Sequence, residues 1–246
     1  MSFTYPDLKG RTVLEIGAGE GASTREVAGA IVAAGGGCLI VNDIEDTHFP
    51  ALRRELTHPS LELGFLRSSA VKLAGLANAS VDLVVSNYAL RAIEAIQGQA
   101  VLALSRFFQV LKPGGMLLIR EELPVYMAAN PAQRLWADKW SLLRAAQILT
   151  GQKPFKQFQP EVLVEILELL GYTDVDYQDE LANHASQDWL PSYLEQMARL
   201  TQDMEAADKQ YFSQKTEEIK GKAEEIGSFE QPYYQVWASK PWRSLE

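Results

Sequence analysis

Cysteine is nearly missing. Cys38 stands alone, so no disulfide can form within the chain, which fits a reducing cytoplasmic setting. Histidine is scarce as well: His48, His58 and His184 are scattered, without metal-ligand spacing to one another or to Cys38, and no metal site is expected. No apolar run reaches the roughly 18–20 residues that a membrane span requires. The opening MSFTYPDLKGRT lacks the basic head and apolar centre of a signal peptide, so no membrane role is expected. Positive charge is in deficit. Against 32 aspartates and glutamates stand 23 lysines and arginines, a net charge of −9, which argues against a broad phosphate-binding surface and hence against nucleic acid as a partner. Internal repeats and low-complexity tracts are missing too.

What remains is a chain of 246 residues with 47% hydrophobic and 22% charged content, expected to be soluble and built on one core of ordinary depth. Its N-terminal two-thirds alternates short apolar runs with helical patterns. RTVLEIG (11–17), CLIVND (38–43), LELGFL (61–66), VDLVVSNY (81–88) and MLLIREE (116–122) read as strands. Between them, helices are expected at 23–36, around 50–56 and over 97–111, with KPGG (112–115) as the turn into the fifth strand. This order implies an α/β fold, a doubly wound and mostly parallel sheet with right-handed crossovers and helices on both faces. After Glu122 the rhythm changes. Long helices are expected over 131–151, 160–172, 186–204 and 208–227, with strands at 173–181 and 232–241. The helical segments 123–160 and 182–231 read as insertions into a single domain, forming a substrate lid.

VLEIGAGEG (13–21) places three glycines at alternate positions where the first strand turns into a helix. A backbone without side chains there lets a ligand approach closely, and open parallel sheets bind ligands at the carboxyl ends of their strands. Asp43 ends the second strand, where its carboxylate can accept two hydrogen bonds from a ribose diol. All this suits NAD as well, because Gly17, Gly19 and Ala22 satisfy G-x-G-x-x-G/A. Glu15 shifts the balance: at the strand end it would face a pyrophosphate with like charge, and it is better placed as an acceptor for a cationic group.

Taken together, VLEIGAGEG, NDIE (42–45), VDLVVSNYALRAI (81–93) and VLKPGGMLLIREE (110–122) resemble, in order and spacing, the motifs of class I S-adenosylmethionine-dependent methyltransferases of small-molecule type. The resemblance covers roughly residues 8–122, and more loosely 160–181 and 232–241. It implies a seven-stranded sheet whose last strand is antiparallel, and S-adenosylmethionine as cofactor. Carried over by position, Glu15, Gly17 and Gly19, with Ala18 between them, would line the methionine end. Asp43 would hold the ribose hydroxyls and Ile44 would pack on the adenine. The acid that commonly bonds the adenine amino group is replaced by Ser69, with Ala70 beside it. Asn87 would approach the sulfonium end. Where many relatives carry a histidine after the leucine of SNYALRAI, this chain has Arg91.

Methyl transfer from a sulfonium is an in-line displacement, so the protein chiefly aligns the reactants and excludes water. A base is required only where the nucleophile must lose a proton early. Tyr88 is the candidate catalytic contact. Arg91, Tyr126, Trp136 and Trp140 are candidates to bind the acceptor, and of Glu121 and Glu122 at most one can face a site from a regular strand. The three histidines read as ordinary surface or cap residues. After the fourth strand SNYA lacks the Asn/Asp-Pro-Pro-aromatic stretch of DNA amino-methyltransferases, which together with the acidic charge favours a small-molecule acceptor. The helical insert offers a homodimer surface as readily as a lid. Two rivals stand: a methyltransferase-like protein that binds without catalysis, and an NAD-dependent oxidoreductase, for which no convincing Tyr-x-x-x-Lys is present.

Overall fold

The computed structural model describes residues 4–124 and 128–242. Strands and helices alternate through the first half: β1 (Thr12–Ile16), α1 (Ala22–Ala33), β2 (Gly37–Asp43), α2 (Phe49–Glu55), β3 (Leu61–Arg67) and β4 (Val81–Asn87). Then come α3 (Leu90–Ile93), α4 (Gln99–Val110) and β5 (Leu111–Glu122). The second half holds α5 (Pro131–Leu149), α6 (Pro160–Leu169), β6 (Thr173–Ala185), α7 (Ser186–Thr201), α8 (Ala206–Ile226) and β7 (Ser228–Ser239).

Seven strands form one sheet in the order β3-β2-β1-β4-β5-β7-β6. From β3 to β5 neighbouring strands are parallel, as apolar runs buried on both faces require. β7 runs against β5: Gly114 N–H donates to Lys240 O at 2.8 Å and Leu123 N–H to Pro232 O at 3.1 Å, so one strand's numbers climb as the other's fall. The expected seven-stranded, mostly parallel sheet with an antiparallel last strand is therefore the observed one. β5 begins at Leu111, earlier than expected, because the KPGG backbone itself pairs with Lys240.

The chain forms two compact units. Unit 1 comprises Met1–Glu121, Gln157–Gln178 and Tyr234–Glu246; unit 2 comprises Glu122–Lys156 and Asp179–Tyr233. In unit 1 the residues of α1 that recur at helical spacing, Val27, Ala28 and Ile31, pack on Val13, Leu39, Val41, Val85 and Leu118 of the sheet. In unit 2, α5, α7 and α8 enclose a separate core of Leu135, Trp136, Leu143, Trp189, Tyr193, Met197, Phe212 and Ile219. Helix α5 starts where it does because Pro131 suits a first helical turn and the Asn130 side chain caps it, accepting from Gln133 N–H at 2.8 Å. Among the described residues no helix is long and apolar enough to cross a membrane.

Candidate active site

In unit 1 a cavity of about 330 Å³ opens at the carboxyl ends of β1 to β4. It lies where the strand order reverses, between β1 and its two neighbours β2 and β4, the usual ligand position in such sheets. Ile16, Gly17 and Gly19 supply one wall, Asn42, Asp43 and Ile44 the second, Ser68 to Val71 the third. Tyr88, Ala89, Ala92, Ile93, Ile96 and Gln99 complete it.

The glycine loop is held from below, Gly17 N–H and Ala18 N–H both donating to Asn42 O at 2.9 and 3.1 Å. Its glycines have different duties. A Cβ on Gly17 would lie 2.8 Å from the Ala89 Cβ, and one on Gly21 only 2.2 Å from Leu52 Cδ2, so these two serve close packing within the protein. Gly19 faces open space and donates its N–H to Asp43 Oδ2 at 2.8 Å. Asp43 Oδ1 accepts from Glu45 N–H at 3.1 Å. Each oxygen keeps a further lone pair for a ligand, and the carboxylate is fixed in orientation before one arrives.

Asn42 was not expected here. It is buried, and its side-chain amide donates to Leu66 O at 3.0 Å and Ser68 O at 2.8 Å, fixing the chain that carries Ser69 and Ala70. Ile44 is 63% exposed and Ile96 52% exposed beside the cavity, a wasteful arrangement for large aliphatic side chains unless a flat apolar group covers them.

Glu15 does not line the cavity. It is fully buried behind the loop, where the Ser23 hydroxyl donates to Oε1 and Oε2 has no hydrogen-bond partner. Burial raises its carboxyl above the ordinary range; the Ser23 and Thr24 hydroxyls oppose that shift, while Asp43 and Glu26 add to it. Asn87 and Ala18 also lie outside the lining set; Asn87 Oδ1 accepts from Arg120 Nη1 at 3.4 Å. Arg120, buried, in turn faces Glu26 at 3.7 Å, and Glu26 accepts from the Tyr5 hydroxyl at 3.0 Å.

Tyr88 lines the cavity with φ of 57°, a left-handed backbone that a tyrosine seldom adopts. It is secured on several sides. Its N–H donates to Arg120 O at 2.8 Å, and the Arg91 guanidinium lies 5.2 Å from its ring centre. Glu121, fully buried, caps the following helix by accepting from Leu90 N–H at 2.7 Å and Arg91 N–H at 3.4 Å. Glu122 accepts from Gln231 Nε2 at 2.9 Å, so both acids of that pair are buried against partners.

Trp136 requires a correction. It is 2% exposed within the α5, α7 and α8 core, where an i, i+4 aromatic serves helix packing, so it is not an acceptor contact. Trp140 is half-buried against that core, with the Lys139 ammonium 5.4 Å from its ring. Tyr126 lies outside the described residues. Among the described residues no cluster of metal-ligating side chains occurs.

A doubly wound sheet with a small cleft at its switch point, a fixed carboxylate and no basic side chain in the lining defines a protein that binds a nucleoside-bearing ligand of neutral or positive charge. Residues 13–115 match the family model described as a methyltransferase domain. No curated protein matches the sequence. Among solved structures, one described as a methyltransferase from Bacillus halodurans C-125 aligns with a TM-score of 0.60 and 15% identity, over 94% of this chain and 93% of that one. Phosphoethanolamine N-methyltransferase 2 of Haemonchus contortus, bound to phosphomonomethylethanolamine and S-adenosylhomocysteine, aligns at 0.55 and 17% identity; 96% of this chain spans 50% of that one. An arsenic(III) S-adenosylmethionine methyltransferase from Chlamydomonas reinhardtii aligns at 0.54 and 18%, over 96% and 65%. The chain belongs to the class I S-adenosylmethionine-dependent methyltransferases.

Proposed function

We propose that the chain passes the methyl group of S-adenosylmethionine to a small-molecule acceptor, with the cofactor's adenosine in the unit 1 cavity. The observation that carries this reading is Asp43, whose two oxygens are anchored by the Gly19 and Glu45 amides and keep lone pairs for a ribose diol. Flanking it, Ile44, Val71, Ile93 and Ile96 offer apolar faces to an adenine, and the Ser69 hydroxyl is available to its amino group. A buried Glu15 with one unpartnered oxygen suits a cationic group, such as the ammonium of a methionine moiety, and suits a pyrophosphate badly.

When bound, the cofactor supplies an electrophilic methyl on a positively charged sulfur. The residues of this chain bind, orient and exclude water. The net charge of the lining comes from Asp43 alone, which favours a cationic ligand over a dianionic one. Tyr88, held rigidly by Arg91 and Arg120, and Asn87 at the end of β4 would sit toward the reacting end. Arg91 and Trp140 remain candidates for the acceptor, and the helices of unit 2 for the lid. Relatives that act on phosphomonomethylethanolamine and arsenic(III) support a small acceptor.

The test is transfer of a radiolabelled methyl from S-adenosylmethionine into a pool of small-molecule metabolites by the full chain. Labelled product, lost in Asp43→Ala, is expected. Tight binding of S-adenosylhomocysteine with no transfer to any member of the pool would favour a protein that binds without catalysis.

A further inference from the structure

Unit 2 carries a cluster of polar atoms that nothing above has used. His184, near the end of β6, stacks on Phe229 with ring centres 4.9 Å apart and 27° between planes. Trp189 of α7 meets the same Phe229 edge-on at 5.0 Å. The Lys139 ammonium from α5 lies 4.8 Å from the centre of Phe229, 5.0 Å from Trp189 and 5.4 Å from Trp140. Within this group His184 Nε2 and Trp189 Nε1 are buried and have no hydrogen-bond partner. Buried polar atoms are seldom left so; an unmatched pair around one ring marks where a ligand atom belongs.

The protonation of His184 follows from its neighbours. Glu122 accepts from Gln231 Nε2 at 2.9 Å, which fixes the amide with its oxygen toward His184. A carbonyl oxygen can only accept, so the imidazole proton sits on Nδ1 and the Nε2 lone pair is exposed to the ligand position. Burial holds the ring below its ordinary value and keeps it neutral; Lys139 acts the same way, while Gln231, Glu122 and Asp188 act against it. The cluster therefore presents one acceptor, His184 Nε2, and one donor, Trp189 Nε1–H. A hydroxyl matches both, donating to the first and accepting from the second. An ammonium cannot accept at all.

We propose that unit 2 binds the methyl acceptor through an aromatic hydroxyl at this cluster, with His184 Nε2 as the base that takes its proton. This rests on the methyl-transfer reading. The O–H bond breaks and its proton passes to Nε2. The oxygen lone pair forms the O–CH3 bond as the S–CH3 bond breaks, leaving that electron pair on sulfur as a neutral thioether, and Nε2 later releases the proton to solvent. Lys139, above the same rings, stabilises the phenolate as it forms.

The experiment uses the full chain with 4-methoxyphenol and 4-nitrophenol as acceptors, methyl-labelled S-adenosylmethionine, and nitrogen NMR of the His184 imidazole and Trp189 indole. Phenol binding should move both resonances, and the free protein should show the Nδ1–H tautomer. His184→Gln should cut transfer to 4-methoxyphenol about 100-fold or more, the usual worth of a general base. It should spare 4-nitrophenol, which is already ionised in mildly alkaline buffer. Trp189→Phe, which keeps the ring and loses the donor, should raise the phenol KM about 10-fold with kcat little changed. Equal loss with both phenols would overturn the base role. Binding of S-adenosylhomocysteine with both resonances unmoved by phenols would overturn the site, leaving a water position and an intact methyltransferase. Phenol binding without any S-adenosylhomocysteine binding would support the hydroxyl site and fail the methyl-transfer reading instead.

Discussion

Asp43 concentrates the argument at the scale of single residues. Two backbone amides position it, so its loss removes acceptors already held in place for the ribose. Hydrogen bonds to a charged group are worth about 1.5–3 kcal/mol each. Asp43→Ala should therefore weaken S-adenosylhomocysteine binding about 100-fold or more by calorimetry, with a melting temperature of the free protein close to wild type. Glu15 makes a second prediction, and here the sign matters. Burial raises its carboxyl above the ordinary 4.5, so the folded state holds the proton more tightly than the unfolded one. Its cost is absent below the unfolded value, grows as pH rises through the window up to the raised folded value, and is complete above it. Glu15→Gln should remove that decline and leave the free protein as stable as wild type or more so above the window, yet bind S-adenosylhomocysteine more weakly. Urea unfolding across pH, beside calorimetry, checks both halves. A variant that loses stability at neutral pH would mean that the charge is compensated in the free protein.

Among the elements, the turn from β1 into α1 combines packing with binding. Gly21 sits at φ of 89° with Leu52 of α2 against the space where a Cβ would lie. Gly21→Ala should cost about 1–3 kcal/mol from overpacking and backbone strain. In a double-mutant cycle with Leu52→Ala, measured by urea unfolding, the two losses should sum to less than their separate values. Strict additivity would mean the contact is already relaxed. The strands of the first half were legible because parallel strands buried on both faces leave apolar runs, and Asp43, Ile44, Ser69 and Ala70 were legible from their places after those runs. Helix α3 was not. Its four residues are fixed by the Glu121 carboxylate from a distant strand, and no local pattern announces such a cap. For the same reason Ile93, Ile96 and Gln99 were missed as cavity walls, since an apolar residue at a binding site reads like one in a core. The i, i+4 tryptophans gave the converse error at Trp136, where helix packing and ligand contact leave one pattern. His184 read as an ordinary surface residue because its partners, Gln231 and Phe229, come from the far end of the chain.

Across the whole molecule the two cores share no residue, and this divides the effects of mutation from those of ligand. Trp136→Ala empties the centre of the unit 2 core and should cost about 3–5 kcal/mol. Its affinity for S-adenosylhomocysteine should nevertheless stay within a few-fold of wild type, because the cavity belongs to unit 1. Calorimetry on the purified variant at a temperature well below its unfolding checks this. A large loss of affinity would tie the cofactor site to the helical core.

The central claim is that the unit 1 cavity takes an adenosyl cofactor. Its most direct test is the melting temperature of the full chain with S-adenosylmethionine, S-adenosylhomocysteine, NAD and NADP, each also run against Asp43→Ala. A ligand at about a hundred times its dissociation constant adds roughly 2.7 kcal/mol, which for a chain of this size is a rise of roughly 5–10 °C by the usual size scaling. The account predicts that rise with the two adenosyl ligands alone, and its disappearance in Asp43→Ala. A rise with NAD or NADP and none with the adenosyl ligands would contradict it, and would make Ala22 rather than Glu15 the informative residue of the glycine loop.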